Sequence, residues 1–366
     1  MNRMKHLLFF ISGLGSGGAQ RQIVELAVGF KGMGYNVRFL IYQKKWSEFY
    51  YQYIVNHGIE IDGIYEDNYL KRIYKVRRYI RSHKFDVVIA FLEAPSFMAE
   101  LSGFPSRKWK LIVGERSADP AKRSSFKLRL FLKFHRFADY IVANSYANIN
   151  IVKEVAPGIL SRKFNVIYNM LDKERLLPNE NFTYRKNGKL NLLVASSHRY
   201  LKNLNGLIEG VHLMDSQYRD NLRISWFGNS RFDTSLEDGL QKIQSYGLQD
   251  IFSFHKETLN IYDYMREADA VGLFSFFEGL PNAICEGMYM GKPIVATRVS
   301  DVPLLVEDNV NGFLCEANSP SSISHALTLL VKCSVVELSD MGKRNNTKAE
   351  ELFNKSRILG DYEKMF

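Results

Sequence analysis

The stretch FFEGLPNAICEGMYMGKPIVAT, residues 276–297, reads as a loop, a helix and a strand in succession. AVGLFSF (270–276), apolar except for Ser275, leads into it, and PIVAT (293–297) closes it. Between them Ala283, Ile284, Gly287 and Met288 recur at helical spacing. Pro281 suits the first helical position, where its missing N–H is not needed. A strand, a helix and a second strand, with both strands predominantly apolar, form the pattern of a parallel sheet covered on both faces. Glu278 falls in the loop and Glu286 on the helix, so two carboxylates can face one ligand. Carboxylates accept from hydroxyls, which makes a sugar or a ribose a natural partner. One capping and one solvated glutamate would give the same spacing. Backbone N–H groups near Leu280, Asn282 and Ala283, at the helix start, favour an anion.

The same alternation extends in both directions. Upstream in this half, strands are expected at LNLLVAS (190–196), LRISWFG (222–228) and IFSFH (251–255); downstream, at GFLCE (312–316). The first half repeats the arrangement with HLLFFI (6–11), NVRFLIY (36–42), FDVVIAFL (85–92), KLIVGE (110–115), YIVANS (140–145) and KFNVIYN (163–169). Residues 171–189 have no apolar period and contain Pro178, Asn179 and Gly188, which marks a connection. The expected organisation is an N-terminal α/β domain (1–170), a connection (171–189), a second α/β domain (190–336) and a helical tail (337–366). Two doubly wound domains would leave a cleft at the carboxyl ends of their sheets, where such sheets bind ligands.

Charge is unevenly spread. Residues 1–170 hold 27 basic and 13 acidic side chains, and residues 171–366 hold 22 and 26. The excess in the first half suits a polyanion, an anionic membrane surface or simply a solvated face. The apolar and charged fractions, 46% and 24%, exclude a disordered chain or a long coiled coil. No run approaches the roughly 18 apolar residues of a membrane span, and HLLFFI lacks the flanks of a signal peptide. Three scattered cysteines suggest neither a disulfide framework nor a metal site. A reduced, cytoplasmic protein is expected.

GLGSGGAQR (13–21) follows the first strand and opens a helix running from Ala19 to Lys31. Gly13, Gly15 and Gly18 satisfy the dinucleotide fingerprint, but the acid it needs at the end of the second strand is missing. NVRFLIYQKKW (36–46) offers Lys44 and Lys45 instead. The nicotinamide reading is therefore set aside, and an anion site at a helix start is kept.

Taken together, these segments resemble glycosyltransferase family 4. FFEGLPNAICEGMYMGKPIVAT resembles the family's E-x7-E signature, SGGAQR (16–21) its glycine phosphate loop, and ADYIVANS (138–145) its ADxVVANS strand. VIYNMLD (166–172) resembles its linker entry, SSHRYLKNLNGLIEG (196–210) its R…KN helix start, and DNVNGFL (308–314) its xDGxNGFL. The matches occur in family order over about residues 7–315. The resemblance implies the GT-B architecture, two facing Rossmann-like domains with a central cleft. It also implies retaining transfer of a sugar from a nucleotide-diphosphate donor, expected to be UDP-linked, to a glycan or lipid-linked glycan.

In that family Glu278 corresponds to the glutamate at the donor sugar's hydroxyls and Glu286 to the one at the ribose. The main chain of Leu280, Pro281, Asn282 and Ala283 would meet the sugar and diphosphate. Lys202 would neutralise the diphosphate with Arg199 nearby, and Gly17 and Gly18 would approach it from the other domain. No cofactor and no metal are implied, and the chain has no D-x-D triplet.

Some positions depart from the family pattern. Arg199 precedes Lys202 by three residues rather than five, with Ser197 in the usual place. Ser300 and Asp301 replace a pair of glycines. FDVVIAFLEAPS (85–96) has Glu93 where many relatives carry a histidine. VGERSADP (113–120) resembles an S-E-R-N segment, so Glu115 and Arg116, with Glu93, are acceptor-side candidates; a surface ion pair is the plainer reading of Glu115 and Arg116. His198 and His255 fall at strand ends.

The basic segments LKRIYKVRRYIRSHK (70–84) and FKLRLFLKFHRF (126–137) could lie on an anionic bilayer or simply cover the sheet. A peripheral position on the inner membrane face would fit a lipid-linked acceptor. Transfer to a soluble acceptor, or nucleic-acid binding by the basic half, are the alternative readings; no nucleic-acid partner is expected on the preferred one.

Overall fold

A computed structural model describes residues 4–44, 49–171, 173, 176–179, 182–185, 188–230, 233–258 and 260–366. Lys45 and several positions of the expected connection (172, 174, 175, 180, 181, 186 and 187) lie outside the described residues. The chain forms two compact units, Met1–Met170 with Lys355–Phe366, and Leu171–Asn354.

The first unit contains strands β1 (His6–Phe10), β2 (Asn36–Ile41), β3 (Glu60–Gly63), β4 (Val87–Phe91), β5 (Lys110–Glu115), β6 (Tyr140–Ala143) and β7 (Phe164–Val166). They pair in the parallel order β3-β2-β1-β4-β5-β6-β7. Its helices are α1 (Gly18–Gly32), α2 (Tyr51–Asn56), α3 (Tyr69–Ser82), α4 (Glu93–Ser102), α5 (Ala121–Ser124), α6 (Phe126–Phe134) and α7 (Tyr146–Val155). Leu7 and Phe9 of β1 belong to a core on one sheet face; Leu8 and Phe10 belong to a core on the other. Burial on both faces explains why these strands read as unbroken apolar runs.

Strand β3, EIDG, is absent from the sequence expectation. It is an edge strand with charged side chains, so no apolar run marks it. Arg38 on β2 reaches across to Glu60 and, at 3.0 Å, to Asp62.

The second unit contains β8 (Leu190–Ala195), β9 (Leu222–Phe227), β10 (Phe252–His255), β11 (Ala270–Leu273), β12 (Ile294–Thr297) and β13 (Gly312–Cys315), parallel in the order β10-β9-β8-β11-β12-β13. Around them lie α8 (Leu204–His212), α9 (Ser216–Arg219), α10 (Ser235–Ser245), α11 (Ile261–Glu267), α12 (Asn282–Tyr289), α13 (Val302–Leu305), α14 (Pro320–Lys332) and α15 (Val335–Leu352). Leu192, Val194, Ile224 and Trp226 pack beneath α8 and α14 in one core. Gly228 follows β9, where a Cβ would stand 1.9 Å from the Ser196 carbonyl oxygen, so the loops after β8 and β9 touch through a glycine.

The tail is two helices rather than one. After α15, α16 (Lys355–Glu363) joins the first unit, where Leu359 packs over Gly29 of α1 and Tyr362 is fully buried. Among the described residues no single helix is long and apolar enough to cross a membrane.

Candidate functional site

In the second unit, the loops after β8 and β11 bring Lys202 and Glu278 together. Residues 200–202 form a single 3-10 turn. It ends at Asn203, whose φ of 60° breaks the helix and whose side chain accepts the Gly206 N–H at 3.1 Å, starting α8. The turn presents Lys202, whose Nζ donates to Glu278 Oε1. Ser275 Oγ donates to the same oxygen at 2.7 Å. The Phe276 N–H donates to the Leu201 carbonyl at 2.9 Å and locks the two loops in register. Arg199 stands just before the turn. Its charge joins hydrogen bonds from Ser235 and from the Tyr200 N–H to hold the Asp233 carboxyl low, against the upward push of burial.

Glu278 and Ser275 lie in the loop entering α12. Pro281 is the cap preceding that helix, not its first residue: its ψ of 109° is extended, and the helix begins at Asn282. The first ladder bonds run from the Ile284 and Cys285 N–H groups to the Pro281 carbonyl, at 3.1 and 3.3 Å. The N–H groups of Asn282 and Ala283 come before that ladder, at the positive end of the helix. Glu286 is buried one turn further on, with the Tyr262 hydroxyl 3.5 Å from its Oε1.

Ser300 explains one departure from the family pattern. It adopts φ 51°, a conformation that favours glycine, and its hydroxyl donates to the Gly279 carbonyl, clasping the loop that carries Glu278. His198 is buried against Trp226 and Phe254, and burial pushes its pKa down, so it packs as a neutral ring. His255 ends β10 and stacks on Phe227 at 4.4 Å, with Tyr264 also against Phe227.

In the first unit, Gly17 caps α1 and Gly18 is its first residue. A Cβ on Gly17 would come 2.2 Å from Gln20 Oε1. The order of strands reverses between β1 and β4, which is where a doubly wound sheet receives ligands. The loop after β1 is the glycine loop, and the turn after β4 carries Glu93. Leu92, just before Glu93, has φ 75° and ψ 160°, a region nearly reserved for glycine, and such strain clusters at functional turns.

Behind Glu93 lies a chain of buried charges. Lys122 Nζ is 3.0 Å from Glu93 Oε1 and 2.5 Å from Glu115 Oε2, and donates to the Ser117 carbonyl at 2.8 Å. Glu115 Oε1 lies 2.9 Å from His135 Nε2, and His135 Nδ1 lies 2.6 Å from Glu100 Oε1. Burial alone would raise the Glu115 pKa, but Lys122 and His135 outweigh it and bring it down to about 2. Burial alone would lower the His135 pKa, yet Glu100 and Glu115 push it up to about 10. Burial raises the Glu100 pKa, partly offset by His135.

A surface pair between Glu115 and Arg116 does not form. Glu115 is buried with both oxygens engaged inside, and Arg116 points elsewhere: over the Phe91 ring at 4.0 Å, to Asn169 Oδ1 at 3.3 Å and to the Tyr362 hydroxyl at 2.5 Å. Of the three acceptor-side candidates, Glu93 has its carboxylate part-exposed at the strand end. Lys122, His135 and Glu100 are not singled out by the sequence; Glu100 and His135 offer only a polar residue among apolar helical neighbours, and Lys122, in AKRS, offers no signal.

Comparison with known proteins places the chain among glycosyltransferases. Residues 16–175 match the family model described as Glycosyltransferase Family 4, and residues 189–333 the model described as Glycosyl transferases group 1. The chain is 27% identical over 340 residues to an uncharacterized glycosyltransferase of Haemophilus influenzae, covering 90% of this chain and 91% of that one. It is 23% identical to a Campylobacter jejuni N-acetylgalactosamine-N,N'-diacetylbacillosaminyl-diphospho-undecaprenol 4-alpha-N-acetylgalactosaminyltransferase, over 98% of each chain. Among solved structures, HepE of Anabaena in complex with UDP and glucose superposes with a TM-score of 0.85, at 19% identity and over 98% of each chain. That likeness identifies the GT-B fold.

Proposed function

The chain belongs to glycosyltransferase family 4, and from that premise we propose that it transfers a sugar, with retention of configuration and without a metal, from a UDP-sugar to a lipid-linked glycan acceptor in cell-surface polysaccharide assembly. The observation that carries this reading is the Lys202–Glu278 ion pair beside the N-terminus of α12, with Glu286 one turn along. Lys202, Arg199 and the N–H groups of Asn282 and Ala283 supply positive charge where a diphosphate leaving group gains negative charge. Glu278, steadied by Lys202 and Ser275, accepts from donor-sugar hydroxyls, and Glu286 accepts from ribose hydroxyls.

In this reading the acceptor oxygen bonds to the anomeric carbon on the face the diphosphate leaves. The bond to the phosphate oxygen breaks, and the acceptor's proton passes to that oxygen. In the first unit, Gly17 and Gly18 let backbone N–H groups approach an anion at the start of α1. Glu93, at the strand end, orients the acceptor hydroxyl, while Glu115 acts from behind through Lys122 and Arg116 steadies the Phe91 strand end. The Campylobacter relative's prenyl-diphosphate acceptor supports the lipid-linked class, and the UDP complex of HepE supports the donor nucleotide.

The test is UDP release from a panel of UDP-hexoses and UDP-N-acetylhexosamines with a prenyl-diphosphate-linked amino sugar, in the presence of a chelator. Release of UDP with an α-linked product fits the proposal. A β-linked product, or turnover only with added divalent metal, would overturn the mechanism.

A further inference from the structure

The two loops that hold Lys202 against Glu278 touch a second time, through aromatic rings that the core of the second unit does not take up. Tyr200 is 71% exposed and Phe276 is part-buried. Their ring centroids lie 5.2 Å apart, with the planes tilted by 32°. An exposed ring by itself is ordinary on a protein surface. This pair stands on backbone that is fixed before any ligand arrives. The Tyr200 N–H donates to Asp233 Oδ2 at 2.8 Å, and the Tyr200 carbonyl accepts the Asn203 N–H at 2.9 Å. Asn203 is anchored in turn, its side chain donating to the Ala317 carbonyl at 2.8 Å. The Phe276 N–H is held by the Leu201 carbonyl. A ring with two rotatable bonds on fixed backbone loses little freedom when it is covered.

The neighbours say what would cover it. Tyr200 precedes Lys202 by two residues, and Phe276 precedes Glu278 by two. The Asp233 carboxylate lies against the Tyr200 backbone, and its other oxygen accepts the Ser235 N–H at 3.0 Å. Ring faces are electronegative, and one face of a pyranose presents weakly positive C–H hydrogens to them. The hydroxyls at the rim of the same sugar take carboxylate acceptors. A nucleobase also stacks on aromatic rings. The reading above, however, puts the ribose at Glu286 and a sugar at Glu278, and the rings adjoin Glu278. A donor sugar is best enclosed from water, which would hydrolyse it. The openness of Tyr200 suits a sugar that arrives from solvent.

We propose that Tyr200 and Phe276 form a stacking subsite for a pyranose ring of the acceptor glycan. The proposal rests on the donor reading above, which assigns Glu278 to the other sugar. Binding of a free saccharide needs no transfer, so the two fail separately.

The experiment is saturation-transfer NMR on the full chain, with and without UDP. The probes are methyl pyranosides of the gluco, galacto and N-acetylhexosamine series. Transfer concentrated on the protons of one sugar face is expected. Tyr200→Leu keeps an apolar side chain but removes the ring face, and should weaken glycoside binding by roughly three- to tenfold. Tyr200→Trp should restore it. UDP affinity should stay within about twofold of the parent in both variants, since no nucleotide contact is touched. No transfer to any probe, or equal transfer in the Tyr200→Leu protein, would overturn the subsite. A fall in UDP affinity in Tyr200→Leu would give the rings to the nucleobase. A fall in UDP-hexose affinity alone would give them to the donor sugar; either result overturns the acceptor assignment. Failure of UDP to bind the parent would sink the donor reading, while a Tyr200-dependent signal without UDP would still support the stacking subsite.

Discussion

Replacing Lys122 by methionine removes the one cation that joins Glu93 to Glu115. Lys122 is 1% exposed and Glu115 2%, so the side chain left behind is a buried carboxylate with only His135 opposite. Truncating one partner of a buried pair costs about 3–5 kcal/mol, because the remaining charge stays desolvated. The Ser117 carbonyl also loses its 2.8 Å donor. Total stability of a domain is about 5–15 kcal/mol, so the loss is a large share of it. Because the chain has two compact units, the readout must belong to the first alone. Amide exchange in β4 and β5 serves, and it should accelerate by roughly 10²- to several-10³-fold, with exchange in β8 and β11 unchanged. Lys122→Met combined with Glu115→Gln should lose less than the sum of the two single changes, since the pair is coupled. Acceleration below about threefold for Lys122→Met would show that no buried charge depends on the lysine, and the chain described here would be wrong.

The same chain predicts a pH response. His135 sits at about 10 in the folded protein against 6.5 as its ordinary value, so its stabilisation is complete below 6.5 and is lost as pH rises through 10. Glu115, at about 2 against 4.5, contributes above 4.5 and loses its contribution as pH falls toward 2. Chemical denaturation of the first unit should therefore show falling stability from pH 7 to 10, a slope that His135→Gln removes. Glu278→Ala should lower kcat by about 10²–10³-fold with little change in protein stability, measured as UDP release and thermal unfolding. Gly228→Ala should destabilise the second unit by about 1–3 kcal/mol, because its Cβ meets the Ser196 carbonyl at 1.9 Å; a melt within about 1 °C of the parent would contradict that geometry.

Both sheets were legible in the sequence wherever strands are buried on both faces, because β4 and β11 then carry uninterrupted apolar residues and β1 and β8 only one polar residue each. Strand β3 was not, since an edge strand needs no such run. The helix after Glu278 was legible, but its first residue was not: Pro281 fits both the cap and the first turn, and its ψ decides. Ser300 shows a different limit. A left-handed position can be filled by serine when its hydroxyl gains a carbonyl, so a missing glycine did not mean a missing turn. Of the buried chain only Glu93 and Glu115 stood out, and the links between its members did not. Lys122, His135 and Glu100 lie 7, 20 and 35 residues from the partners they meet, and only the adjacency of β4, β5 and the helices behind them closes those distances. Glu278 and Lys202, 76 residues apart, meet for a similar reason, the pairing of β8 with β11.

The proposed nucleotide site of the second unit is built from Lys202, the start of α12 and Glu286. Isothermal calorimetry of UDP binding to the purified chain in the presence of a chelator tests it most directly, with GDP and NAD as controls. UDP is expected to bind, and Lys202→Ala and Glu286→Ala are each expected to weaken it by about 10–100-fold, the loss of one charge-assisted contact. No binding of UDP or GDP, or unchanged affinity in both variants, would contradict the site.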